Sequence, residues 1–122
     1  MKLRISAGKV SLEAELRDTP TTRALMAALP FEASAQTWGD EVYFSTPVSV
    51  KLEPDARQVV EPGAVCFWTE GDALALPFGR TPISTDDKPK LASRCNVLGS
   101  IVGDAKALAG IKAGAKVRVE KA

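Results

Sequence analysis

The sequence predicts a mainly β domain, a barrel or sandwich of about eight short strands with two small helical caps. Three observations carry this. Apolar and polar residues alternate with period two in several short runs, the pattern of strands with one buried and one wet face. Glycine, proline and aspartate punctuate these runs at short intervals. Only two stretches, near residues 20–29 and 104–109, carry helical signals.

Leu3, Ile5 and Ala7 alternate with Lys2, Arg4 and Ser6, and Val10, Leu12, Ala14 and Leu16 with Ser11, Glu13 and Glu15. Gly8-Lys9 between them suits a type II′ hairpin turn. Asp18-Thr19-Pro20 then starts a helix: Asp18 or Thr19 caps it, and proline fits the first helical position. Ala24, Leu25, Ala28 and Leu29 form its apolar stripe, and Pro30 stops it. A third strand is expected at Phe31, Ala33 and Ala35, interrupted by Trp38-Gly39-Asp40-Glu41. Val42-Tyr43-Phe44 resumes it, and Val48, Val50 and Leu52 alternate as a further strand after Pro47.

Ala64–Phe78 is the central hairpin. Two apolar runs flank Glu70-Gly71-Asp72. In the first, Val65 and Phe67 face one way and Cys66 and Trp68 the other, so this strand is expected to be covered on both faces. Pro77 has no ladder donor and marks an edge, a bulge or a strand end. Ile83–Arg94 is polar and breaker-rich and reads as a long surface loop. Asn96–Val102 is a strand whose Gly99 signals a bulge. Asp104 caps a helical turn over Ala105–Ala109, and Val117 and Val119 belong to the last strand.

The chain has 122 residues, which points to one domain over 1–122. Such a length buries enough surface to fold without a disulfide or a metal, so no cofactor is expected. The net charge is +1, from 16 basic and 15 acidic residues of scattered sign. That argues against a nucleic-acid or anionic-membrane partner, which would want a basic patch. No run approaches membrane-spanning length and no signal peptide is evident, so a cytoplasmic protein is expected. There is no histidine, which removes Ser-His and Cys-His pairs and histidine-ligated metals. Cys66 and Cys95 lie far apart, and Cys66 sits in an apolar run. A buried free thiol is the favoured reading over a Cys66–Cys95 bridge or a reactive Cys95 beside Arg94.

Three constellations could carry chemistry. Trp38, Asp40, Glu41 and Tyr43 combine an aromatic wall with a carboxylate, which suits a cationic or polar ligand; the bland reading is a bulge with a core tryptophan and a solvated acid pair. Phe78, Arg80 and Thr81 lie between Gly79 and Pro82, and the arginine fork suits a carboxylate or carbonyl. Its bland reading is an exposed turn whose arginine pairs with Glu41 or Asp40. Arg94 with Asn96 is the third, with local backbone satisfaction as the bland alternative. Asp86 and Asp87 lack the spaced oxygen ligands of a calcium loop and read as solvated.

The run Asp18-Thr19-Pro20-Thr21, Leu29-Pro30, Trp38-Gly39-Asp40-Glu41-Val42-Tyr43-Phe44, Glu61-Pro62-Gly63, Phe78-Gly79-Arg80-Thr81-Pro82 and Val97-Leu98-Gly99 resembles a family of small microbial cyclophilin-like proteins. The similarity covers nearly the whole chain. It implies a closed eight-stranded β-barrel with a helix at each end, and no established biochemical activity. True prolyl isomerases carry Phe-His-Arg and Gln-Gly-Gly-Asp segments. This chain has neither, so the relation to those enzymes is one of fold.

The expected function is therefore binding of a small molecule or short peptide on the barrel wall by Trp38, Glu41, Tyr43, Phe78, Arg80 and Thr81, without catalysis. The alternatives are a peptidyl-prolyl isomerase, with Arg80 and Phe78 at the proline, and an interaction module, either a homo-oligomer or a subunit of an amide-acting enzyme assembly.

Overall fold

A computed structural model describes all residues, 1–122. Ten strands form in chain order: β1 (Lys2–Ala7), β2 (Val10–Leu16), β3 (Phe31–Ser34), β4 (Gln36–Thr37), β5 (Glu41–Ser45), β6 (Arg57–Val59), β7 (Ala64–Trp68), β8 (Ala73–Pro77), β9 (Lys90–Val102) and β10 (Lys116–Lys121). One α-helix, α1 (Pro20–Ala27), precedes β3, and a 3₁₀ helix (Ala105–Gly110) precedes β10.

The local signals act as their chemistry dictates. Gly8 takes φ +58° in the β1–β2 turn, the left-handed geometry that a type II′ turn needs at its first position. Thr19 is the N-cap of α1, its hydroxyl accepting from Thr22 N at 3.0 Å, with Pro20 at the first helical position. Asp104 caps the 3₁₀ helix by accepting from Lys106 N at 2.9 Å. β8 ends at Pro77.

All neighbouring strands pair antiparallel, in the order β3-β10-β1-β2-β9-β7-β8-β5-β4, with β6 added to β9. The sheet is not closed by hydrogen bonds, so the closed eight-stranded barrel implied by the resemblance is corrected to a mainly β, ten-stranded sheet with two edges. Those edges, β3 and β4, are separated in sequence by Ala35 alone. The backbone of Ala35 turns instead to the β10 side, its N–H donating to Ala115 O and its carbonyl accepting from Gly114 N, both at 2.8 Å. A cavity of about 550 Å³ is lined by β3 (Phe31–Ser34), by Gln36 of β4 and by residues from Tyr43 to Pro47, with Trp68, Gly71 and Ala73.

Two expectations change at the element level. Val48, Val50 and Leu52 form no strand. The backbone there is satisfied by a side chain instead: Asn96 Oδ1 accepts from Glu53 N at 2.7 Å and Asn96 Nδ2 donates to Lys51 O at 3.0 Å. The polar loop is also shorter than expected, because β9 already starts at Lys90 and pairs with β6.

The sheet buries side chains on both faces. The inner core gathers Leu3, Ile5, Leu16, Leu25, Phe44, Phe67, Leu74, Leu76, Leu98, Leu108, Val117 and Val119, among others. Each large side chain buried there contributes about 1.5–3 kcal/mol. A smaller cluster on the opposite face holds Val60, Ala64, Cys66, Ala75, Leu91 and Cys95. This second cluster explains why β7 and β8 are apolar on both sides, and it lies directly beneath the candidate site.

Candidate functional site

Strand alternation sorts the residues of β5. Val42 and Phe44 point into the inner core, so Glu41 and Tyr43 are turned to the second face. Tyr43 pairs across the ladder with Ala75, which pairs with Cys66. Trp68 ends β7 on the same face. Its ring meets Tyr43 edge-on, with centroids 6.5 Å apart and planes at 86°, a favoured aromatic geometry. Trp68 Nε1 donates to Ser93 Oγ at 2.9 Å, which anchors the indole. Gly71 gives the ring its place: a Cβ there would lie 2.5 Å from the indole.

The Trp38–Glu41 turn is clasped by the segment after β8. Asp40 N donates to Arg80 O at 2.9 Å, Phe78 N to Asp40 O at 2.8 Å, and Trp38 N to Glu41 O at 3.0 Å. Gly39 has φ +60°, and a Cβ on it would fall 2.9 Å from both Arg80 O and Pro82 Cδ. The two motif segments are thus one structural unit: glycine lets their backbones approach, and that approach aims Trp38.

Trp38, Glu41, Tyr43 and Trp68 wall a cavity of about 270 Å³. Ala75, Leu91, Ala92 and Cys95 complete its lining, which contains no lysine or arginine. Glu41 is 6% exposed, and its Oε1 is buried without a hydrogen-bond partner. Burial disfavours the charged form and pushes the carboxyl up to about 7. The same desolvation, reinforced by the nearby Glu41, pushes the Cys95 thiol up to about 12 and the Cys66 thiol well above its ordinary value. Both cysteines are free and buried. Neither is poised as a nucleophile, because the thiolate is the reactive form.

The structure brings Trp38, Glu41 and Tyr43 together, and it places Phe78, Arg80 and Thr81 outside that cavity. Phe78 lines a neighbouring groove with Gly39 and Asp40, which Glu41 also borders. Arg80 is exposed and its Nη2 donates to Ser84 O at 3.3 Å; it forms no ion pair with Glu41 or Asp40. Thr81 is buried, its N–H donating to Ser84 Oγ at 2.9 Å and its hydroxyl to Lys90 O. These three residues shape the clasp. Arg94 is exposed, whereas Asn96 is a buried brace that also donates to Thr21 Oγ1 at 3.0 Å. Asp86 accepts from Lys88 N at 2.8 Å in an exposed turn, and Asp87 is exposed beside it.

Sequence reasoning missed Trp68 and Leu91 as site residues. For Trp68 the signal was present in the alternation of β7, which turns it away from Phe67 and the inner core. Leu91 carried no such signal, since the strand that presents it hides among polar residues.

Against known proteins, the family model described as cyclophilin-like matches residues 1–120. The solution structure of a hypothetical protein from Archaeoglobus fulgidus superposes with a TM-score of 0.87 at 44% identity, covering 100% of this chain and 95% of that one. No curated protein matches the chain.

Proposed function

The chain belongs to the cyclophilin-like family, and from that premise we propose that it is a binding domain, taking a small molecule or one side chain of a short peptide into the cavity walled by Trp38, Glu41, Tyr43 and Trp68. The observation that carries this reading is the Glu41 carboxyl, buried with an unpartnered oxygen in the wall of an aromatic cavity. A buried polar group without a partner costs about 1–3 kcal/mol. Such a cost is retained at sites where a ligand supplies the missing partner. At about 270 Å³ the cavity falls just below the usual range for drug-sized ligands, which favours a compact guest.

A thermal-shift screen of small metabolites, followed by NMR of the two indole N–H signals, tests the proposal. Binders should raise the melting temperature and move the Trp38 and Trp68 resonances. Arg80→Ala should leave affinity unchanged. Binders that perturb only residues remote from the cavity would overturn the assignment.

The isomerase alternative lacks support from the same geometry. Arg80 donates to its own loop through Ser84 O, and it is not among the residues lining the Glu41 cavity. Spontaneous Xaa-Pro isomerisation takes tens to hundreds of seconds. A coupled assay that showed acceleration by this protein would reinstate the enzyme reading.

A further inference from the structure

We infer that the guest of this cavity is a small organic cation, an alkylammonium or quaternary ammonium group, with Glu41 as its counter-ion and Trp38, Tyr43 and Trp68 as its walls. The inference rests on the binding reading above and names the ligand class. Three features of the cavity converge on it. Aromatic rings from β5, β7 and the Trp38 turn line the cavity together with a single carboxyl, that of Glu41. Ring faces attract cations through their quadrupoles, most strongly when water is excluded, and tryptophan does so best. The carboxyl is 6% exposed with Oε1 unpartnered, so the one group able to neutralise a cation is already desolvated and waiting. The lining holds no lysine or arginine, so no fixed positive charge competes for the carboxyl.

The titratable groups facing Glu41 are few. Tyr43 lies on its own strand, Cys66 on β7 and Cys95 on β9, with Glu70 acting on Cys95 from the β7–β8 turn. Both thiols are held protonated by burial, so they add no charge at neutral pH. A cation entering beside the protonated acid displaces its proton to solvent, leaving a carboxylate–ammonium pair. Charge balances: one cation enters and one proton leaves. Because burial pushes the Glu41 carboxyl up to about 7, affinity for a permanently charged guest should rise with pH and level off above neutrality. Between pH 8 and pH 6 the ionised fraction changes roughly tenfold, and affinity should follow.

Calorimetric titration with choline and with neohexyl alcohol, its uncharged carbon isostere, decides the matter. Choline should bind, release about one proton below neutrality, and weaken roughly tenfold from pH 8 to pH 6. Glu41→Gln should abolish choline binding and spare the alcohol. Trp38→Leu, which keeps apolar volume but removes the ring, should weaken choline more than the alcohol. If the alcohol binds as tightly as choline, or if Glu41→Gln leaves choline affinity intact, the cation assignment falls while the cavity remains a binding site. If neither compound binds at millimolar concentration, the cation assignment falls, and the metabolite screen alone decides whether the cavity is a binding site.

Discussion

At the scale of single residues, Glu41 is the group whose chemistry departs most from its surroundings. It spends stability to hold a desolvated carboxyl among rings and thiols. The sign of that effect follows from its raised value. Below the ordinary carboxylate range Glu41 is protonated folded and unfolded alike, so its burial costs no ionic desolvation there. As pH rises from about 4.5 to about 7 the unfolded chain loses its proton first and the native state is progressively destabilised. The total is on the order of 3 kcal/mol. Melting temperature should therefore fall between pH 5 and 7.5 in the wild type and stay flatter in Glu41→Gln. Parallel pH profiles for the two proteins would refute the assigned shift. The Glu41 position was readable as a candidate because an acid stood beside Trp38 and Tyr43. Its burial was not, since β-strand alternation alone leaves the second face of β5 indistinguishable from a wet one.

At the scale of elements, two glycines decide how strands meet. Gly99 lies where β9 crosses β2, and a Cβ there would fall 1.9 Å from Glu15 O and 2.9 Å from Leu16 Cα. The β7–β9 register also slips here: Val65 pairs with Gly99, but Cys66 pairs with Val97. The bulge expected from the glycine is thus present, and backbone rather than side chain blocks any substituent. Gly99→Ala should cost more than about 3 kcal/mol, beyond ordinary overpacking, read as a large loss in denaturation midpoint. Gly71→Ala should behave differently. Its clash is with the Trp68 indole, so the ring is displaced and tryptophan emission shifts while most stability survives. Asn96 is a third element-scale device. It joins the α1 start, the 51–53 segment and β9 through three hydrogen bonds. Asn96→Ala leaves buried partners unsatisfied and should lower stability by about 1–3 kcal/mol in chemical denaturation.

At the scale of the whole molecule, the pairing is dominated by contacts distant in sequence. β1 pairs with β10, Leu3 lying opposite Lys121, and β10 in turn carries β3. Val117 and Val119 are fully buried between them. Removing residues 116–122 should unfold the domain, seen as loss of near-ultraviolet dichroism; a cooperative melt in the truncated chain would contradict this. The same topology puts β9, β7 and β2 in the sheet's centre and β3 and β4 at its edges. Amide exchange should accordingly be slowest in the central strands and fastest along the edges.

The sequence by itself determined the β class, the first hairpin, the start of α1, the central hairpin and the motif segments that carry the family likeness. Each of these is local: periodicity, turn chemistry and capping act within a few residues. It also drew attention to Trp38, Glu41 and Tyr43. Only the tertiary structure decided that the Phe78–Pro82 segment clasps the Trp38 turn and leaves Arg80 outside the cavity lining, that Trp68 and Leu91 complete the cavity, and that no ladder joins the sheet's edges. The physical reason is the same in each case. Whether a polar group is solvated, paired or stranded depends on which distant strand lies over it, and antiparallel pairing between residues far apart in the chain leaves no signature in the local pattern of either partner.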